Sequence, residues 1–413
     1  MRCNMKILIV TQYYWPESFR INDVAKTLFE KGVEVEVLTG KPNYPKGDKF
    51  PGYGSWGCQR EDYQGIRINR IPMLARGRRA WQLAANYLSF AISGIVFAPW
   101  MLRKKKFDVI FVYAPSPILQ AIPAIFLGWL KGCPVVLWVQ DLWPESLSAT
   151  GFVKNKVALK LVERVVRFIY RHTDLLLVQS RAFEEPVRVL ASGTPIAYYP
   201  NSVDEVFAVP AKVAPPSVAG LGAGFSIMFA GNIGTAQAVE VMVEAASLLK
   251  EFSDIHFVVL GEGSRWEWMK QEVQRRGLSN VHLPGSFPVE TMPGFMQKAS
   301  VLLVTLANQE IFKATIPSKV QAYLAAGRPI LACLNGEGAN LVTEAGAGLA
   351  VPAEDAQALA EAVLRLYRMH KQELDAMGER GRLYYARHFS HDKLVDQLIE
   401  HLQSVCNQKE KLE

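Results

Sequence analysis

Residues 225–235 read Phe225-Ser226-Ile227-Met228-Phe229-Ala230-Gly231-Asn232-Ile233-Gly234-Thr235. An uncharged apolar run of this length reads as a buried strand, the two glycines as a tight turn, and the apolar period from Ala236 as a helix. Strand, glycine turn and helix in that order make half of a parallel βα unit. Such a turn delivers a helix N-terminus to the carboxyl edge of the sheet, where free backbone N–H groups and the positive helix end suit a pyrophosphate. A G-x-x-G also serves as a plain strand-to-helix turn. A second turn, Gly261-Glu262-Gly263, closes the next apolar run and favours the anion.

The same alternation extends in both directions. Strands are expected at 6–10, 33–38, 65–70, 108–113, 135–139, 175–179 and 196–199, and again at 225–229, 255–260, 281–283, 301–305, 329–333 and 349–351. Helices fill most of the gaps, and three more are expected at 355–369, 371–387 and 391–406. Residues 210–224 interrupt the pattern with three prolines and three glycines, which marks a linker. The expectation is therefore an α/β chain of two doubly wound domains facing across a cleft. Residues 1–209 form the first domain, 225–387 the second, and a last helix at 388–410 crosses back to the first. Ligands of such folds bind outside the carboxyl ends of the strands.

Composition agrees with two folded domains. The 413 residues are 50% hydrophobic and 21% charged with no low-complexity tract, which excludes collagen-like, coiled-coil and disordered classes. Five widely spaced cysteines, Cys3, Cys58, Cys133, Cys333 and Cys406, form no C-x-x-C pair, so neither a zinc site nor a disulfide framework is expected. The first ten residues are too short an apolar run for a signal peptide, and the expected compartment is the cytoplasm.

A third anion element is Ile316-Pro317-Ser318-Lys319, which opens a helix with Ser318 available as a cap. Lys319 falls in the first turn, where the helix dipole disfavours a cation. A lysine held there points either to an anion that needs it or to a solvated surface position. In the first half, Asp141 follows the expected strand 135–139, and Glu17 follows the strand 6–10, with Arg20 and Asn22 close behind. Both acids belong at the carboxyl edge of the first sheet. Each is a candidate to orient an acceptor or take its proton, against a helix cap for Asp141 and a dipole-stabilised helix charge for Glu17.

In order and spacing, Ala230–Gly234, Leu260–Gly263, 281–287, Pro317–Lys319 and 325–329 resemble the donor domain of family 4 glycosyltransferases, which have the GT-B fold. His172-Thr173-Asp174 through Ser180, then Pro200-Asn201-Ser202-Val203-Asp204 with Phe207, resembles that family's passage between domains. Residues 12–23, Pro42-Asn43-Tyr44-Pro45 and 334–339 are similar to O-antigen L-fucosamine transferases of the WbuB type, with colanic-acid transferases of the WcaI type related. The resemblance implies transfer of N-acetyl-L-fucosamine from UDP to an undecaprenyl-diphosphate-linked sugar. Nucleotide-sugar contacts are expected from Gly231, Asn232, Gly234, Gly261, Glu262, Gly263, Ser318 and Lys319, with Lys319, Asn232 and the glycine turns on the diphosphate and Phe287 bordering the base, its other reading being core packing. Two glutamates common in the family, eight positions apart, are replaced by Ala314 and Ala322; Glu337, between glycines, is the substitute candidate for a hydroxyl contact, or a plain turn carboxylate. Gln140 stands where the family often has a histidine and cannot act as a base. No D-x-D occurs, so a metal-free diphosphate site neutralised by Lys319 is expected, with no cofactor beyond the UDP-sugar substrate.

Net charge is +7, and the excess lies around one segment. Residues 80–102 carry no charge, flanked by Arg76, Arg78 and Arg79 before and by Arg103, Lys104, Lys105 and Lys106 after. No basic stripe with interleaved aromatics occurs elsewhere, which argues against nucleic acid as a partner. A single transmembrane span here would divide one sheet between two sides of a membrane. Basic ends with Trp81, Tyr87 and Trp100 between them instead fit helices lying on an anionic bilayer surface, here the inner face of the bacterial inner membrane; a buried helix pair is the plainer reading. Two rivals to a transferase remain at this stage: a UDP-sugar 2-epimerase-like isomerase, which needs no lipid segment, and a non-catalytic membrane adaptor.

Overall fold

The computed structural model describes residues 5–45, 47–48, 50–54, 56–77, 79–149, 155–203, 205–208 and 213–411; Cys3, Arg78, Asp204 and residues 210–212 of the expected linker lie outside them. The chain divides into two compact units, Met1–Pro200 with His391–Glu413, and Asn201–Ser390.

The first unit holds an eight-stranded sheet. Its strands are β1 (Lys6–Val10), β2 (Glu34–Gly40), β3 (Gln59–Tyr63), β4 (Ile66–Ile71), β5 (Val109–Ala114), β6 (Val135–Val139), β7 (Leu175–Val178) and β8 (Ile196–Tyr198), in the order β3-β4-β2-β1-β5-β6-β7-β8. All pairings are parallel except β3 with β4. The central strands read as continuous buried runs because helices cover both faces. Strand β3, Gln-Arg-Glu-Asp-Tyr, has no apolar alternation and is not legible as a strand; it is held through Arg70, fully buried, whose Nε donates to Glu61 Oε1 at 2.5 Å. The C-terminal helix His391–Glu410 belongs to this unit, with Leu394, Val395, Leu398 and Leu402 in the core beside the Arg20–Glu30 helix.

The second unit holds β9 (Phe225–Ala230), β10 (Ile255–Leu260), β11 (Val281–Gly285), β12 (Val301–Thr305), β13 (Ile330–Cys333) and β14 (Gly348–Val351), ordered β11-β10-β9-β12-β13-β14 and parallel throughout. Residues 201–203 and 213–224 are not a free linker in this structure. Val203 and Val218 are buried in this unit's core with Leu221 packed against it, and Gln321 Nε2 donates to Asn201 O at 2.8 Å. Apolar side chains hidden among prolines and glycines explain the difference.

Strand order reverses between β1 and β5 in one unit and between β9 and β12 in the other. Those are the points where diverging crossover helices open a crevice at the carboxyl edge.

Candidate active site

At the reversal point of the second unit, three turns interlock backbone on backbone. Gly231 N donates to Leu260 O at 2.8 Å, Gly261 N to Gly285 O at 2.9 Å, and Ile233 N to Glu262 O at 2.9 Å. Gly231 and Gly261 have φ of +133° and +139°, and a Cβ on Gly261 would collide with Gly231 O, so the close approach requires glycine at both positions. From the other side of the reversal, the helix Ser318–Ala326 sends Lys319 back over this turn. Its Nζ lies 3.6 Å from the centroid of the Phe229 ring, and a Cβ on Gly231 would stand 2.7 Å from Lys319 Cε. Among the described residues this buried ammonium has no hydrogen-bond partner. Burial brings its pKa down from 10.5 to about 7. Tyr323 pins the same helix to the strand end, its hydroxyl accepting from Ala230 N at 3.2 Å.

Several expected contacts differ here. The helix after β9 does not begin at Ala236: a single 3-10 turn, Thr235–Gln237, intervenes, Ala238 is left-handed at φ 45°, and the α-helix runs Glu240–Leu248. Thr305 Oγ1 donates to Gln237 O at 2.5 Å and fixes that turn, so the helix N-terminus at the reversal point is that of Ser318–Ala326, not that of the helix Glu240–Leu248. Ser318 does not cap; the N-cap is Pro317, and Ser318 is the exposed first helical residue. Asn232 Nδ2 donates to Gln237 Oε1 at 3.1 Å, inside the turn, with Gly234 close beneath it and the exposed Glu262 and Gly263 alongside. Phe287 meets Phe295 in a tilted contact, centroids 4.8 Å apart, against the core, the packing alternative to a base-bordering role. Ala322 is a core residue. Glu337 opens the helix Glu337–Glu344 at the end of β13, where the dipole favours a carboxylate.

In the first unit, Asp141 follows β6. Burial raises its pKa from 3.8 to about 6, opposed by hydrogen bonds from the Ser146 and Trp143 side chains and the Leu142 N–H. Beside it, the buried Nε2 of Gln140 has no partner among the described residues. Glu17 is a different kind of residue from the one expected. It precedes the Arg20–Glu30 helix rather than opening it, is 4% exposed, and its Oε1 accepts from Asn43 N at 2.7 Å and Tyr44 N at 2.6 Å. That carboxylate ties the loop after β1 to the loop after β2 and positions Tyr44, and it is not part of the lining of the first unit's cavity.

Asp141 lines a cavity of about 730 Å³ within the first unit, with Arg76, Tyr13, Tyr87, Trp143 and Ser146. Sequence reading counted Arg76 only as flanking charge; its place in a wall is set by Nη1 donating to Tyr13 OH at 3.1 Å and to Tyr87 OH at 3.3 Å. The segment 80–101 is one continuous helix, Ala80–Met101. Asn86, Tyr87, Phe90, Gly94 and Ala98 face inward, while Trp81, Ala84, Leu88, Ile92, Val96 and Trp100 form one exposed stripe at spacings of three and four.

Comparison with known proteins follows this division. A glycosyl transferase 4-like domain model matches residues 18–202, and a glycosyl transferases group 1 model matches residues 224–369. WbjE of Pseudomonas aeruginosa, named as a glycosyltransferase, is 27% identical over 314 residues, 74% of this chain and 75% of that protein. WcaI of Escherichia coli K12, named for glycosyl transfer in colanic acid biosynthesis, is 24% identical over 349 residues, 78% of this chain and 82% of its own. The crystal structure of Anabaena HepE in complex with UDP shares the fold, with a TM-score of 0.68 at 14% identity, covering 97% of this chain and 100% of that one. The chain is therefore a glycosyltransferase of the GT-B fold, a glycosyl transferase 4-like domain followed by a group 1 domain.

Proposed function

We propose that this glycosyltransferase moves a sugar from a UDP donor to a saccharide carried on polyprenyl diphosphate, at an anionic membrane surface, in bacterial surface-polysaccharide assembly. One observation carries the donor half: the unpartnered Lys319 ammonium over the Gly231 turn at the strand reversal of the second unit. An amine buried without a counter-charge is costly, and a diphosphate supplies the missing charge while first-turn N–H groups of the helix Ser318–Ala326 donate to its remaining oxygens. The departing UDP is then stabilised by the same groups without a bridging metal. UDP as the nucleotide is supported by the fold shared with the UDP-bound Anabaena protein, and the polysaccharide role by the name of the colanic-acid relative. N-acetyl-L-fucosamine as the donor sugar rests on the similarity of residues 12–23 and 334–339 noted above.

In the first unit, Asp141 is the acid best suited to take the acceptor hydroxyl's proton, since its raised pKa leaves it able to bind a proton near neutral pH. Docking on the cytoplasmic membrane face rests on the exposed apolar stripe of the Ala80–Met101 helix with Arg79, Arg103 and Lys104 exposed at its ends. The test is thermal melting with UDP, GDP, dTDP or no nucleotide, all in EDTA. Saturating UDP at a hundred times its Kd adds ~2.7 kcal/mol. A rise with UDP that Lys319→Ala abolishes supports the reading, and no rise with any nucleotide defeats it.

A further inference from the structure

The cavity in the first unit is not accounted for by a sugar. Its wall is mostly apolar: Phe19, Leu83, Leu119, Trp143, Leu147 and Val165 contribute to it. Saccharide sites need polar partners for each hydroxyl, whereas this volume offers a handful of polar side chains on an otherwise greasy lining. The cavity lies between the Ala80–Met101 helix, which contributes Trp81 and Leu88, and the helix Lys156–Arg171, which contributes Leu161 and Val162. Trp81, Leu88 and Leu161 are exposed at 64%, 51% and 62%, so the cavity rim is itself part of the apolar surface.

That surface is wider than the first helix. On Lys156–Arg171, Val157 and Phe168 are also exposed, and Phe168 meets the exposed Trp129 edge to face at 6.2 Å. Exposed Lys156, Lys160 and Arg164 stand on the same helix. Inside, Arg76 completes the pattern. Among the described residues it forms no ion pair; its guanidinium meets the Tyr13 and Tyr87 hydroxyls and the face of Tyr44 at 5.3 Å. Phenols leave the positive charge uncompensated.

Resting on the lipid-linked acceptor reading, we infer that this cavity is the seat of the acceptor's isoprenoid chain, which enters between the two helices from the membrane while Arg76 pairs with the diphosphate at the chain's head. An apolar bore continuous with an apolar surface, with one unneutralised cation in its wall, is complementary to a prenyl diphosphate. Ser146 and Asp141 are further polar side chains of the lining, and they fall to the saccharide beyond the diphosphate.

The probe is farnesyl diphosphate below its micellar concentration, titrated calorimetrically into the full-length protein beside farnesol, inorganic pyrophosphate and dihexanoyl phosphatidic acid. Farnesyl diphosphate should bind at least tenfold more tightly than each of the other three. Arg76→Gln should weaken farnesyl diphosphate at least tenfold and leave farnesol unchanged. Ala84→Phe, which puts a ring into the bore from an exposed helix position, should weaken both farnesyl compounds at least tenfold while UDP still raises the melting temperature. Unchanged binding in Ala84→Phe, or phosphatidic acid binding as well as farnesyl diphosphate, overturns the assignment. If UDP stabilises the protein and farnesyl diphosphate does not bind, this inference fails and the donor reading stands; loss of the UDP response is the failure of that reading instead.

Discussion

The affinity for UDP should depend on pH through Lys319 alone. In the free protein its pKa is about 7, lowered by burial from 10.5. That difference amounts to ~4–5 kcal/mol of disfavour for the charged form at 1.36 kcal/mol per unit. A bound diphosphate removes the disfavour, because the ammonium gains its counter-charge, and the pKa in the complex returns toward the ordinary lysine value. Binding above neutral pH must then take up a proton. The diphosphate of UDP is fully ionised above pH ~7.5, since phosphate's second pKa is ~6, so the phosphates contribute nothing there. With the free-state pKa at about 7, calorimetry in buffers of different ionisation enthalpy should show uptake of ~0.8 proton at pH 7.5, rising toward one at pH 9. Over the same interval Kd should weaken roughly 20-fold. Lys319→Met should lose ~10–100-fold in affinity at pH 7.5, the scale of charge-assisted hydrogen bonds, and show no proton uptake. A Kd constant within about twofold from pH 7.5 to 9, or wild-type uptake below ~0.2 proton, would refute the claim that burial lowers this amine's pKa and that it meets the diphosphate.

Three further outcomes are expected. For Asp141 the folded pKa, about 6, lies above the unfolded 3.8, so its contribution to stability is full below the unfolded value and is lost as pH rises through 6. Asp141→Asn should therefore melt higher than wild type at pH 8 by at most ~3 kcal/mol, with no gain at pH 4, and lose 10²–10⁴-fold in kcat/KM if it is the base, ~3–5 kcal/mol; equal melting at pH 8 would contradict the burial cost. Gly231→Ala places a Cβ 2.7 Å from Lys319 Cε at a φ of +133°, so it should destabilise the fold by ~1–3 kcal/mol and abolish the UDP-induced melting shift; a variant that still responds to UDP would show that the lysine is not held over this turn. Replacing Trp81 and Trp100, exposed at 64% and 58%, by serine should cut sedimentation with vesicles of anionic phospholipid at least ~10-fold without altering UDP stabilisation, and unchanged sedimentation would remove the interfacial face.

Much of the corner where Lys319 meets the Gly231 turn is legible along the chain because its elements are local. Gly231 and Gly261 stand at the ends of apolar runs, and a cation in a helix's first turn is a local contradiction that sequence displays directly. Glu17 shows where local reading stops. Its distance from β1 places it at the sheet's edge, but nothing in its neighbourhood reveals that Asn43 N and Tyr44 N will claim its carboxylate. Phe287 is similar: Phe295, eight residues on, decides that the ring packs on the core. β3 is absent from the apolar pattern because its antiparallel ladder with β4, the Arg70–Glu61 ion pair and the single ring of Tyr63 stacked on Trp15 hold it, not an apolar run.

Apolar periodicity and glycine punctuation, both short-range properties, were enough to determine two doubly wound sheets, thirteen of whose fourteen strands follow the alternation of runs and turns. They determined as well the uncharged segment that became the Ala80–Met101 helix. Only the tertiary structure decided what those elements enclose. Which strand neighbours which sets the reversal points, and so brings Lys319 over Gly231 across 88 positions of sequence; the placement of the apolar helix Ala80–Met101 and the amphipathic helix Lys156–Arg171 on either side of one space makes them the walls of a cavity with Arg76 in its lining. Burial is a property of the assembled fold, and the charge left without a partner is visible only once the fold has excluded water from it.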